Sequence, residues 1–428
     1  MPDYRAILRD ALSPRLERDL TLLPSVCLSD IPEEGPFGRV IREPSVAETR
    51  TLFDHGIREL CNGGYALLIL SGGLATRLGA KLPKAALPIS PVQGKTLIQL
   101  HLERVRRLEA LMKPGTPNLP VFIMTSRFNH DAIASYLKSL NYCDLHEGQV
   151  VLFMQDTAPY LQFNGHDFFP TSLDGSTVAE APKGNGDVFN ALSRCSEFMD
   201  HLKCMRMLHV IAIDNALSRP LDPELLGLAL RFPGIEVLNK CVVRRRGENV
   251  GVFCLGKVPC VVEYSELEKL PDASFLNGSS TVYGNMCDHL FSGEFLRRII
   301  DERLFELLPY HAAKKALMSS NATGQPAESN GYSLELFIFD VFQFASRLLC
   351  VEVNRDMQFA PVKYRADCDM SNLLSVQHRM NNVARQWLES AGAILGDGFF
   401  EISPSVSYCG EGLERYSGMH LEGTLYIE

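Results

Sequence analysis

Between Leu68 and Ile89 the chain reads LILSGGLATRLGAKLPKAALPI, an apolar run that ends at Gly72-Gly73 and is followed by Arg77, Gly79 and Lys84. Glycine lets the backbone approach closely and adopt positive φ, so successive N–H groups can turn toward one anion. Arg77 offers a planar fork for phosphate oxygens and Lys84 a point charge. A Gly-Gly turn with two surface cations would account for the same letters in isolation. Both cations and Pro83 inside one strand-end loop favour phosphate binding instead. The loop has neither the Gly-Lys-Ser/Thr of a P-loop nor the Gly-x-Gly-x-x-Gly of dinucleotide folds.

Two further polar residues close apolar runs. Gln155 follows Val150–Met154, and Asp214 follows Leu208–Ile213. Asp214 is the candidate metal ligand, because Mg²⁺ takes one or two carboxylates together with phosphate oxygens and water. Capping the segment that follows is the alternative use of Asp214-Asn215. In the loop Ala181-Pro-Lys-Gly-Asn-Gly-Asp, Gly184 and Asn185 can present backbone and amide groups to a base or a sugar. Eleven histidines and twelve cysteines show no nucleophile–base spacing. A sugar phosphate, already ionised, needs no general base to attack a nucleotide phosphorus. Positioning and charge neutralisation then carry the catalysis.

The elements that must hold these residues alternate along the chain. Tyr65–Leu70, Val121–Met124, Val150–Met154 and Leu208–Ile213 are continuous apolar runs of the kind that form buried parallel strands. Helical spacing separates them over Thr96–Met112, Asp131–Leu140, Asp187–Asp200 and Pro223–Leu230. This pattern predicts an α/β fold with a Rossmann-like, mostly parallel central sheet, in which ligands sit beyond the carboxyl ends of the strands. Residues 1–60 are expected to form an N-terminal helical segment, with helices at Ala6–Leu20 and Pro44–Leu60. Residues 61–370 form the expected catalytic nucleotidyltransferase domain, with antiparallel additions from Glu236 to Tyr264 and a polar surface loop from Ser319 to Ser333. Residues 371–428 are expected to supply a helix and a small β-rich part.

Composition narrows the setting. The chain has 428 residues, 46% hydrophobic and 22% charged, as a globular protein does. A net charge of −9 argues against nucleic acid or an anionic membrane as partner, since both reward a basic surface. No run approaches the roughly 18 apolar residues of a membrane span, and the charged start lacks a signal-peptide core. Cysteines without any Cys-x-x-Cys pair fit free thiols in a reducing compartment, so a cytoplasmic address is expected, as monomer or dimer.

Taken together, these segments and several downstream ones resemble the eukaryotic-type UDP-N-acetylglucosamine pyrophosphorylase family, within the UDP-sugar pyrophosphorylase superfamily. The likeness runs from about Leu70 to Glu414. It includes Ile213-Asp-Asn-Ala-Leu with Asp222-Pro223, Asn249-Val-Gly-Val, Val261-Val-Glu-Tyr-Ser-Glu and Tyr283-Gly-Asn-Met-Cys-Asp-His. Phe339-Asp-Val-Phe-Gln-Phe-Ala, Phe359-Ala-Pro-Val-Lys and the segment from Glu401 to Glu414 follow in order. The resemblance implies UTP and N-acetylglucosamine 1-phosphate as substrates, UDP-N-acetylglucosamine and pyrophosphate as products, and Mg²⁺ (or Mn²⁺) as cofactor. It implies that Leu70, Gly72, Gly73, Lys84, Gln155, Gly184 and Asp214 hold the nucleotide. Asn185, Gly251, Glu263, Tyr264, Asn285 and Lys363 would hold the sugar phosphate. Arg77 and Lys84 would be catalytic, and Asp214 would bind the metal.

The sequence also departs from the family. Leu74-Ala75 stands where the family has Gln-Gly, Ala85 follows Pro-Lys where a glycine is usual, and Ser333 takes the place of a lysine. Lys314 and Lys315 are replacements for that lysine by proximity in sequence. The end of the chain is shorter than the family pattern. Two alternatives stay open: a UDP-glucose or broad-specificity pyrophosphorylase, favoured by Gly-Gly-Leu, and a non-catalytic nucleotide-sugar binder.

Overall fold

The apolar runs assemble into one sheet. A computed structural model describes residues 2–13, 20–31, 38–73, 82–146, 148–170, 177–267, 270, 276, 281–315, 331–363 and 371–428. Nine strands lie in the order Ser25–Val26, Arg39–Ile41, Leu348–Glu352, Val237–Val243, Tyr283–Ser292, Met207–Ala212, Tyr65–Leu70, Val121–Ser126 and Val150–Gln155. Neighbours along this path are parallel except where Tyr283–Ser292 runs antiparallel to both of its partners. Thr21–Leu22, Val252–Leu255 and Pro259–Val262 extend the sheet off this path.

The continuous apolar character of the strands follows from burial on both faces. Along Tyr65–Leu70, the alternating Tyr65, Leu67 and Ile69 enter one core, and Ala66, Leu68 and Leu70 enter the other. Helices Val46–Leu60 and Leu97–Leu111 contribute to the first core, Val188–Leu192 and Gly293–Asp301 to the second. Val46–Leu60 starts at a capping box, with Ser45 and Glu48 satisfying each other's backbone N–H.

The stretch expected to be helical at Ala6–Leu20 is helical only over Tyr4–Leu12, with an extended Ser13 ending it, Leu20 outside any helix and residues 14–19 outside the described residues. The other expected helices form, with three further differences. Helices Tyr4–Leu12 and Val46–Leu60 lie within residues 1–60, but Ser25–Val26 and Arg39–Ile41 between them join the edge of the sheet. Pieces of two or three residues are too short to show a period, and sheet pairing rather than local propensity makes them strands. The helical stretch expected at Asp187–Asp200 divides into Val188–Leu192 and Ser196–Leu202. The β-rich stretch after Glu236 is only partly antiparallel, since Val237–Val243 pairs in parallel with Leu348–Glu352. Residues 371–428 fold as helix Leu373–Ser390 and two short parallel strand pairs around Leu388, Phe400 and Leu413. No disulfide joins the described cysteines, and no described helix is long and apolar enough to cross a membrane.

Under the sheet centre lies a buried ionic knot. Lys240 Nζ is 2.5 Å from Asp222 Oδ2, 3.8 Å from Asp288 Oδ2, and donates to Gln358 Oε1 at 3.0 Å. His209 Nε2 meets Asp288 Oδ1 at 2.7 Å, while its Nδ1 accepts the Asp222 N–H at 3.4 Å. Burial pushes the Asp222 carboxyl up, but Lys240 and Arg219 outweigh it and hold the group below the usual range. The knot ties together strands Met207–Ala212, Val237–Val243 and Tyr283–Ser292, the first and last of which supply residues to the site described next.

Candidate active site

A cavity of about 480 Å³ opens along the carboxyl ends of the parallel strands. Leu70, Gly72 and Gly73 enter it from Tyr65–Leu70, Gln155 from Val150–Gln155, and Asp214 from just beyond Met207–Ala212. Lys84, Gly184, Asn185, Gly251, Glu263, Tyr264, Asn285 and Lys363 complete the set. All the residues expected to hold nucleotide, sugar phosphate or metal therefore share one cavity; the expected catalytic Arg77 lies outside the described residues, as do Leu74, Ala75 and Gly79.

At the nucleotide end the contacts are close. A Cβ on Gly72 would fall 1.7 Å from Gln155 Nε2, so the missing side chain is what admits the Gln155 amide. Gln155 is buried, and its Oε1 has no hydrogen-bond partner among the described residues. Such a group fits a donor on a ligand, because leaving it unpaired in a dry site is costly. The end of its strand is pinned next door, where the Asp156 N–H donates to the buried Asp187 Oδ2 at 2.6 Å. Gly184 has φ +93°, and a Cβ there would lie 2.5 Å from Leu336 O. Only glycine fits that approach, which lets the Gly186 N–H donate to Leu336 O at 2.9 Å.

Lys84 Nζ lies 3.3 Å from Asp214 Oδ2. Burial raises the Asp214 carboxyl, yet Lys84 and Lys363 prevail and keep it below its ordinary value. Asp214 is therefore an ionised carboxylate facing the cavity, the kind of donor Mg²⁺ takes beside phosphate oxygens. Among the described residues there is no group of three or more histidines, cysteines and carboxylates that could cage a metal alone. Asn215 fastens the opposite wall: its Oδ1 accepts the Ala360 N–H at 2.8 Å and its Nδ2 donates to Gln358 O at 2.8 Å. The Val362 N–H donates to Asp214 O at 2.9 Å, and this lacing brings Lys363 to the cavity.

The sugar end depends on the reversed strand. Between Asn239 and Cys241 the register against Tyr283–Ser292 shifts, and Cys287 takes φ +55°. This bulge turns the strand so that Asn285 Oδ1 accepts the Cys287 N–H at 2.9 Å, while the Asn285 N–H donates to Gly251 O at 2.8 Å. Asn185 is partly occupied within the protein, its Oδ1 accepting the Ile338 N–H at 3.0 Å and its Nδ2 donating to Cys287 Sγ at 3.8 Å. Glu263 accepts the Tyr264 N–H at 3.0 Å, and burial pushes its carboxyl up. Lys363 Nζ donates to Asn249 O at 3.1 Å.

Other wall residues escaped the sequence reading. Tyr160, Glu335 and Phe337 line the cavity, and Cys287 and Phe339, which lie in quoted motifs but were given no role, do so too. Tyr160, Glu335 and Phe337 carry no local signal, because each arrives by strand pairing or loop packing. Of the two lysines near Ser333, Lys315 lines the cavity and pairs with Glu335 Oε1 at 3.0 Å. Ser333 is buried, with its Oγ donating to Glu335 Oε1 at 2.9 Å. Behind Phe337, the His311 ring lies tilted by 36° at 4.4 Å between centroids, and its Nδ1 and Nε2 each meet a carboxylate, Glu266 and Asp340, at 2.8 Å. Burial works against protonation, but the two carboxylates prevail and push the imidazole up to about 9. The resulting imidazolium clamps helix Tyr264–Leu267 to the segment Ile338–Phe344.

Comparison with known proteins agrees with this architecture. Residues 40–403 match the family model described as UTP–glucose-1-phosphate uridylyltransferase. The UDP-N-acetylglucosamine pyrophosphorylase of Saccharomyces cerevisiae is 32% identical over 376 residues, 85% of this chain and 78% of that protein. The human UDP-N-acetylhexosamine pyrophosphorylase-like protein 1 is 34% identical over 427 residues, 91% of this chain and 82% of that one. A crystal structure of the Trypanosoma brucei uridine diphosphate N-acetylglucosamine pyrophosphorylase superposes with a TM-score of 0.78, covering 99% of this chain and 89% of that one. At 23% identity that likeness speaks for the fold. With the family model spanning most of its length, the chain belongs to the UTP–glucose-1-phosphate uridylyltransferase family.

Proposed function

We propose that the protein is a uridylyltransferase that makes UDP-N-acetylglucosamine and pyrophosphate from UTP and N-acetylglucosamine 1-phosphate. The observation that carries this reading is the gathering of Gly72, Gly73 and Lys84, an ionised aspartate and an amide-rich far wall in one cavity of about 480 Å³. That volume falls within the range of small-molecule sites. The yeast relative named for this activity supports the choice of sugar.

In this reading the free Gln155 Oε1 accepts from the uracil ring, and Gly72 leaves room for the amide to do so. A phosphate oxygen of the sugar phosphate attacks the α-phosphorus of UTP. The bond to the bridging oxygen breaks, and pyrophosphate leaves with that electron pair. Lys84, together with Arg77, meets the charge on the departing group, and Lys363 holds the incoming phosphate. Asp214, with the nucleotide phosphates, would hold Mg²⁺ or Mn²⁺, which supplies further charge neutralisation when bound. Asn285 and Glu263 face the acetamido and hydroxyl groups of the sugar. No described residue has to act as a general base. Free thiols fit a reducing, cytoplasmic setting.

Pyrophosphate release measured with N-acetylglucosamine, N-acetylgalactosamine and glucose 1-phosphates tests the proposal. The N-acetylglucosamine compound is expected to exceed glucose 1-phosphate in kcat/KM by about tenfold or more, the worth of roughly 1.4 kcal/mol of acetamido contacts. Preference for glucose 1-phosphate would overturn the choice of sugar. Tight UDP-sugar binding without UTP-dependent product would overturn catalysis.

A further inference from the structure

A second cavity, of about 230 Å³, lies on the other side of Lys363 and shares Asn249, Val250, Phe359, Pro361 and Lys363 with the first. Its charged lining is Arg245, Arg355, Arg379 and Lys363 against the single carboxylate of Glu248, with the hydroxyls of Ser371 and Ser375 between them. In a chain of net charge −9, four cations around one small hollow call for an explanation.

Partners inside the protein answer only part of that charge. Glu248 is taken by Arg355 NH2, and Arg355 NH1 donates to Val243 O at 3.0 Å. Arg355 Nε is buried without a hydrogen-bond partner among the described residues. Asp356 meets Arg379 at 3.0 Å and Arg245 at 3.6 Å, but its side chain is 74% exposed, so solvent screens much of that attraction. Burial and the nearby Arg245 and Arg355 guanidiniums outweigh Asp356 and hold Arg379 below its ordinary value. The helix Leu373–Ser390 also begins here, and Ser371, Ser375 and Val376 of its first turn and approach face the hollow. The positive end of that helix adds to the field.

We propose that this cavity is an oxyanion site, taking inorganic phosphate or the phosphate group of a small phosphorylated compound. Its volume falls below the 300–1,000 Å³ typical of drug-sized ligands, which favours a small anion over a nucleotide. The guanidiniums of Arg245 and Arg379, with the unpartnered Nε of Arg355, suit tetrahedral oxygens. Because Lys363 is common to both cavities, an anion in the second competes with the sugar phosphate for the same ammonium.

Titration calorimetry with inorganic phosphate, and separately with glycerol 3-phosphate, tests the site without substrates present. Arg379→Gln and Arg245→Gln are each expected to weaken phosphate binding by about tenfold, roughly the worth of one charge-assisted contact. Lys84→Ala is expected to leave binding within about twofold, because Lys84 lines the first cavity and not the second. Melting curves of the three variants check their folding, and the exposed Arg245 guards against loss of fold at Arg379. Stronger binding of one probe tells free phosphate from a phosphate ester. Undetectable binding to the unmodified protein overturns the proposal, as does unchanged binding in both arginine variants or abolition by Lys84→Ala. A kinetic arm rests on the proposed activity: phosphate should raise KM for the sugar phosphate in the unmodified enzyme and not in Arg379→Gln. The calorimetry does not use that activity, so the two readings fail separately.

Discussion

Replacing Gly72 by alanine isolates the role of Gln155. The new methyl carbon would stand 1.7 Å from Gln155 Nε2 and 2.9 Å from its Cδ, while the nearest main-chain atom, Thr125 O, is 3.2 Å away. The end of a flexible side chain must therefore give way, and the amide swings out of its place. Gly72 does not occupy the left-handed region, so alanine adds no backbone strain. If the amide makes two hydrogen bonds to uracil, each is worth about 0.5–1.5 kcal/mol, and the loss comes to about 1–3 kcal/mol. That is a rise in KM for UTP of roughly 5- to 150-fold. The assay is the initial rate of pyrophosphate release with UTP varied at saturating sugar phosphate, repeated with CTP. UTP should lose its lead over CTP, and KM for the sugar phosphate should hold. Gln155→Ala should match the glycine variant, and the double variant should be no worse than either, since both remove one interaction. A folded Gly72→Ala enzyme with KM for UTP within about twofold of the original refutes this reasoning, as would additive losses in the double variant.

Two further outcomes follow from the buried charges. Lys240→Met leaves Asp222 and Asp288 without their cation and should lower stability by about 3–5 kcal/mol, seen in the denaturation midpoint, with partial recovery in Lys240→Met/Asp222→Asn. A drop under about 1 kcal/mol would show that the pair is not what holds the three strands together. His311 gains proton affinity on folding, from an ordinary 6.5 to about 9. Its ion pairs therefore contribute fully below pH 6.5 and are lost as pH rises through about 9, on the order of 2 kcal/mol, because the rise in the buried Asp340 carboxyl offsets part of the gain. Melting temperature followed from pH 6 to 10 should fall over that span in the unmodified protein and stay flat in His311→Gln; parallel curves would remove the clamp.

The site was legible where function sits next to its own strand. Gly72, Gln155 and Asp214 each end an apolar run, so doubly wound topology alone sends them to one edge. Gly251, Asn285 and Lys363 were placed by motif resemblance. Their route to the cavity is a strand reversed in mid-sheet, a bulge at Cys287 and the Asn215 lacing, none of which leaves a periodic trace. Ser25–Val26 and Arg39–Ile41 were missed because two or three residues cannot display a repeat, and the sheet edge alone makes them strands.

By itself, then, the amino-acid order determined the layers and the carboxyl-end location of the phosphate loop, because burial on both faces demands unbroken apolar strands and glycine demands a turn where they stop. Tertiary structure alone decided which of Lys314 and Lys315 faces the cavity, that Gly72 makes room for the Gln155 amide, and that one lysine serves two cavities. Those facts depend on pairing register and on approach within a few ångströms between segments far apart in the chain, and such distances have no local signature in sequence.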